Sequence, residues 1–143
     1  MDNLKYLEHV VELGKVQAAT TPEEMSGAFG AFNGFLGLYY DLAKMELQKA
    51  GIDTPPIRNF AIDKALARID ARLDCADFTI PALIRMLREH RGTRLNEEQA
   101  QKIEQSLIHF KYWLDEPGDV HACFFTENHQ ILYHSAEYLV GQM

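Results

Sequence analysis

Five breaks cut this chain into six runs of helical period, and that punctuation limits the fold more than any bulk property does. The breaks are "TTPEE" (20–24), "DTPP" (53–56), "DCADF" (74–78), "RGTRLN" (91–96) and "EPGD" (116–119). Proline cannot extend a preceding helix and glycine closes one cheaply, so the four breaks that carry one stop or restart the chain, and "DCADF" is the connection between the third and fourth runs. Residues 3–18 place Leu4, Leu7, Val11 and Leu13 near one face. The second run has Thr21 as N-cap, Pro22 at the first helical position and Glu24 completing a capping box, and it should reach Ala50 with Gly51 as its stop. A third helix is expected over 56–73, with Ile62, Leu66, Ile69 and Leu73 inward. "TIPALIRMLREH" forms a fourth. The fifth starts behind Asn96, carries Ile103, Leu107, Phe110 and Leu114 as its core stripe, and is expected to run to the Pro117–Gly118 turn. The sixth spans Glu127 to Val140 behind Thr126, and "VHACFF" (120–125) is an extended loop. The fold class is all-α: about six helices in successive antiparallel hairpins.

A chain of 143 residues is expected to form a single helical domain, with 1–55 as an N-terminal hairpin and 56–143 as the remainder. Its 21 acidic residues against 14 basic ones give a formal charge of −7, which excludes a nucleic-acid backbone as partner. Two cysteines, Cys75 and Cys123, are too few for a disulfide framework. The first residues lack the pattern of a signal peptide, so a cytoplasmic location is expected. "MSGAFGAFNGFLGLYYDLA" (25–43) tests the membrane reading. Its near-uncharged part ends at Tyr40, short of the roughly 20 residues a span needs. Gly27, Gly30, Gly34 and Gly37 share one stripe, which suits close helix packing, and the segment reads as a buried soluble helix with no membrane partner.

The chemistry concentrates in "DEPGDVHACFFTENHQILYHSAEYLVGQ" (115–142). At 100° per residue Glu127, Gln130, His134, Glu137 and Gly141 form one polar stripe, while Leu132, Ala136, Leu139 and Val140 lie broadly opposite. Asn128 and His129 project towards that apolar side. The bland reading leaves the stripe in solvent, with Asn128 and His129 as hydrogen-bonded anchors. The functional reading makes the helix start the floor of a pocket. Asp115 and Glu116, expected at the carboxyl end of the fifth helix, are disfavoured there by the macrodipole, and Glu127 at an amino end is favoured as an anion. A paired-carboxylate site would take its acid from Asp115 or Glu116 and hold Glu127 ionised, with His129 beside them. Tyr112 and Trp113 are placed to stack on a sugar ring or to close the core, and Asn128, Gln130 and His134 would contact the ligand. His129–His134 and His134–Glu137 have no zinc-motif spacing, so neither metal nor cofactor is expected.

Three segments are similar, in this order, to segments of large, poorly characterised bacterial and fungal proteins of the α/α-toroid, six-hairpin-glycosidase type. They are "RLDCADF" (72–78), "FKYWLDEPG" (110–118) and "FFTENHQILYHSAEYLVGQ" (124–142). The resemblance spans roughly 58–143 and leaves 1–55 unmatched. It implies that Asp74, Cys75 and Asp77 matter in the first segment and Trp113, Asp115, Glu116, Pro117 and Gly118 in the second. In the third it marks Glu127, Asn128, His129 and Gln130. It further implies a carbohydrate-related role, by analogy of fold. Those relatives continue past the position matching Gln142. Six helices are about half of such a ring, so its apolar flanks call for a second copy or the remainder of a longer chain. Two readings result: a carbohydrate-binding or glycosidase-like piece of a toroid, or a non-catalytic helical interaction module.

Overall fold

The six helical runs become six α-helices: α1 (Asn3–Ala18), α2 (Ala28–Lys49), α3 (Phe60–Asp70), α4 (Ile80–His90), α5 (Glu97–Ile108) and α6 (Glu127–Val140). The structure is a computed structural model describing residues 3–18, 28–57, 60–119 and 121–143, with side chains described for 3–12, 35–57, 61–119 and 121–143. The described residues are all-α, with one 3-10 turn (Ala76–Phe78) and two isolated bridges, Leu73 with His121 and Arg91 with Leu95. None of their helices is long and apolar enough to cross a membrane. The chain forms two compact units, 1–62 and 63–143, so the division falls inside α3 rather than at residue 55.

In the first unit α1 packs on α2. Val11, Ala43 and Leu47 form its buried seam, with Leu7, Val10, Tyr40 and Ile52 against them, while Leu4 is exposed. The expected start of α2 at Thr21–Glu24 lies outside the described residues, as does the side chain of Leu13. Its end is as expected. Gly51 has φ +82, its amide donates to the Gln48 carbonyl at 3.1 Å, and the Ile52 amide donates to the Leu47 carbonyl at 3.0 Å. That pair of bonds is a Schellman stop, completed by the apolar contact of Ile52 with the Leu47 seam. Asp41 and Lys44 are both buried on α2 and pair at 2.5 Å, and the Lys44 ammonium also donates to the Pro56 carbonyl at 3.0 Å.

In the second unit α4 is the central element, touching α5, α6 and the 3-10 turn. Its sequence buries Ile80, Ala82, Leu83, Ile84, Met86 and Leu87 and leaves Arg85, Arg88 and Glu89 outside. Asn96 caps α5 by accepting from the Gln99 amide at 2.9 Å. Arg91 reaches Glu97 at 2.5 Å and Glu104 at 3.2 Å and so fastens the α4–α5 turn.

Two helix ends differ from expectation. α3 stops at Asp70, three residues short of Leu73, which is 39% exposed rather than core. Arg72 takes the left-handed conformation (φ 51), and the bonds from the Arg72 amide to Ile69 and from the Leu73 amide to Arg68 make a second Schellman stop without glycine. The Arg72 guanidinium then donates to the Asp119 carbonyl at 3.1 Å and lies where a Cβ on Gly118 (φ +100) would sit. α5 ends at Ile108, well before Pro117, so Asp115 and Glu116 are loop residues and Leu114 is 50% exposed. Tertiary bonds end it. Tyr112 turns back so that its hydroxyl donates to the Leu107 carbonyl at 2.8 Å, and the Lys111 ammonium donates to the Gly118 carbonyl at 2.8 Å.

Candidate functional site

The left-handed Arg72 and the second left-handed residue, Cys75 (φ 61), bend the chain twice between α3 and the 3-10 turn. Non-glycine residues rarely adopt this conformation, and it directs "DCAD" towards the start of α6. There Asp77, with its side chain fully buried, accepts from His129 Nδ1 at 2.6 Å. The pairing joins residues 52 positions apart. One ring nitrogen of His129, the Cys75 sulfur and an Asp74 carboxylate oxygen lie within 4.8 Å of one another. Asp74 Oδ1 accepts from the Cys123 amide at 2.9 Å, and the Asp74 carbonyl accepts from the Arg68 guanidinium. Phe78 packs on the His129 ring at 5.4 Å, and Tyr133 stacks on its other neighbours, Phe110 and Phe124.

Two buried polar atoms here, Asp77 Oδ1 and the Tyr133 hydroxyl, have no hydrogen-bond partner among the described residues. Burial raises the Asp77 carboxyl above its ordinary 3.8, opposed by the hydrogen bond and charge of His129 and reinforced by Asp74. Burial and then Asp74 and Asp77 raise the Cys75 thiol, with Arg68 opposing. Tyr133 is raised by burial and by the charges of Asp77, Asp74, Cys75 and Cys123, which places its hydroxyl in the field of the same groups.

A raised carboxyl means that the folded protein holds the Asp77 proton more tightly than the unfolded chain does. Its contribution is complete below the unfolded value and is lost as pH rises through the folded one. Acidifying through the folded value towards the ordinary 3.8 should therefore add a stabilising component that Asp77→Asn lacks. Glu97 and Glu98, held low by Arg91 and Lys102, act in the opposite sense and are common to both proteins. Urea midpoints across that range should converge on acidification if Asp77→Asn starts as the more stable, and parallel curves refute the assignment.

The residues expected from sequence divide into several roles. Glu116 Oε1 accepts from the Tyr112 and Trp113 amides at 2.7 and 2.8 Å, so this carboxylate replaces the carbonyl acceptors that a continuing helix would have offered those two amides. Asp115, Glu127 and Asn128 are exposed, and among the described residues no hydrogen bond joins them to Glu116 or His129. His129 is buried on Asp77. The polar stripe of α6 is outside as expected, with Glu127, Gln130, His134 and Glu137 exposed and Tyr133, Ala136 and Val140 buried.

A second locus gathers several expected ligand contacts. The half-buried Trp113 ring lies 4.3 Å from the His134 ring and edge-on to Phe124 at 5.6 Å. His134 Nδ1 is 3.5 Å from Glu137 Oε2, and the Gln130 amide donates to the Phe124 carbonyl at 3.1 Å. Tyr112 is buried, an inner wall rather than a contact surface. No family model, curated protein or solved structure matches this chain. The site is therefore read from its own geometry. Sequence reasoning passed over a Cys75–His129 approach because it weighed histidine spacing within α6 alone; the signal that stood in plain view was a thiol between two acids in a helix-breaking segment.

Proposed function

We propose that residues 63–143 belong to an α/α-toroid protein with a carbohydrate-related role and bind sugar on the open face formed by Trp113, His134 and Glu137. The observation that supports it most is the Trp113 ring, held at a fixed angle between Phe124 and His134 with a carboxylate alongside. A fixed aromatic plane receives the apolar face of a pyranose with little ordering cost, and nearby imidazole and carboxylate groups take its hydroxyls. Binding is favoured over cleavage because Glu116 is committed to two backbone amides and Asp115 and Glu127 stand apart from it in solvent.

Trp113 is the chain's one tryptophan, which makes it the reporter. Titration with soluble cello-, xylo-, malto- and chito-oligosaccharides should give a saturable fluorescence change with one of them. His134→Ala should weaken that binding at least about 10-fold, the cost of roughly 1.4 kcal/mol of lost contact. A flat response to the whole panel rejects the reading. The non-catalytic interaction module has an observation of its own: Phe125 is 82% exposed, and Ile131 and Tyr138, seven positions apart on α6, are also exposed. Light scattering on the same samples separates the two readings, since self-association without a sugar response supports the module.

A further inference from the structure

We propose that Asp74, Cys75 and His129 bind a zinc-like divalent cation, with Asp77 as the residue that positions His129. The inference is independent of the sugar reading. It rests on three donors of different chemistry meeting within 4.8 Å, brought together from the "DCAD" bend and from the first turn of α6.

The donor set determines the class of ion. One thiolate sulfur, one imidazole nitrogen and one carboxylate oxygen form a borderline-soft set that suits zinc, whereas magnesium and calcium take oxygen alone. Around tetrahedral zinc, with bonds of about 2.0–2.3 Å, donor atoms stand roughly 3.5 Å apart. The present separations, none above 4.8 Å, need close by no more than about 1.3 Å to reach that spacing, within reach of side-chain rotation at an exposed Asp74 and a half-buried Cys75. Three protein donors leave the fourth position to water, the arrangement of sites that do chemistry rather than of closed structural ones.

The surroundings fit a cation. A histidine ligand characteristically donates its other ring N–H to a carboxylate, which fixes the tautomer and aims the lone pair at the metal. His129 Nδ1 does this to Asp77 at 2.6 Å, and among the described residues no hydrogen bond falls on its Nε2. The carboxylates of Asp74 and Asp77 flank Cys75 in sequence and in space, a negative field that would hold a bound cation. The unpartnered Asp77 Oδ1 and Tyr133 hydroxyl are an independent indication. Both are fully buried polar groups whose cost is recovered when a charge or a bound water is added beside them. Arg68 is a cation in the field of Cys75, and its guanidinium donates to the Asp74 carbonyl.

The test is titration of the reduced full chain with cobalt(II) alone. A one-to-one complex should show a thiolate-to-cobalt charge-transfer band in the near ultraviolet and intense four-coordinate visible bands, both erased by zinc. Cys75→Ser should lose the charge-transfer band, and Cys123→Ser should keep it. Asp77→Asn should keep the band but weaken binding about 10–100-fold, as loss of a partner behind a ligand does. No band in the reduced wild-type chain, or a band that survives Cys75→Ser, overturns the proposal. Should Cys75→Ser fail to fold by circular dichroism, iodoacetamide labelling of the wild-type chain decides. Saturating zinc should slow alkylation of Cys75 and spare that of Cys123, and equal rates with and without zinc overturn the site.

Discussion

Lys44→Met will destabilise the chain by about 3–5 kcal/mol, the range found when one partner of a buried ion pair is removed. Lys44 and Asp41 are 1% and 3% exposed and lie one turn apart on α2, with 2.5 Å between Nζ and Oδ1. The ammonium is further satisfied by the Pro56 carbonyl at 3.0 Å and lies 4.4 Å from the centre of the Tyr40 ring. Methionine fills the same volume, so little packing is lost; the cost arises from removing the Lys44 charge from beside a buried Asp41 carboxylate and from the lost bond to the Pro56 carbonyl. Replacing both residues, Lys44→Met with Asp41→Leu, should recover most of the loss, because an apolar pair of similar shape rivals a buried ion pair. Urea unfolding followed by helical circular dichroism measures both. A single substitution that costs under about 1 kcal/mol would mean that Asp41 finds water or takes up a proton.

Tyr133→Ala should cost about 3–5 kcal/mol, the usual cost of emptying a core aromatic position. Tyr133 is 0% exposed and is the ring that joins Phe110 at 5.8 Å, Phe124 at 4.7 Å and His129 at 6.3 Å. Its hydroxyl has no partner among the described residues. Tyr133→Phe should therefore be neutral or stabilising by about 1 kcal/mol, since it removes an unsatisfied polar atom and leaves the ring contacts intact. The same unfolding assay gives both numbers. A Phe variant less stable by more than about 1 kcal/mol would show that the hydroxyl has a hydrogen-bond partner in solution, a bound water being the simplest.

These two cases show what local sequence signals can carry. Helix starts and stops written in adjacent residues were legible: Asn96 caps α5, Gly51 ends α2, and α6 begins at Glu127 as its pattern required. The all-α class followed from that punctuation. The end of α5 was not legible, because the apolar period continues through Phe110 and Leu114 while the bonds that halt the helix come from Tyr112, Lys111 and Glu116 folding back. Asp115 and Glu116 would be ill placed at a helix carboxyl end, and α5 ends at Ile108, well before them. Arg72 and Cys75 carry no mark of their left-handed backbone, since glycine is the only residue that advertises it. The Asp77–His129 pair is a long-range contact, invisible to any window that stops at one helix.

The relation of Arg72 to Gly118 also bears on how this sequence can drift. A side chain at position 118 meets two obstacles, a positive φ that strains any L residue and the tip of the Arg72 side chain, which would have to swing aside. A shorter residue at 72 lifts only the second barrier, and it unties the Asp119 carbonyl as it does so. Substitutions at the two positions are therefore coupled: a side chain at 118 displaces the Arg72 guanidinium and with it the tie to the Asp119 carbonyl.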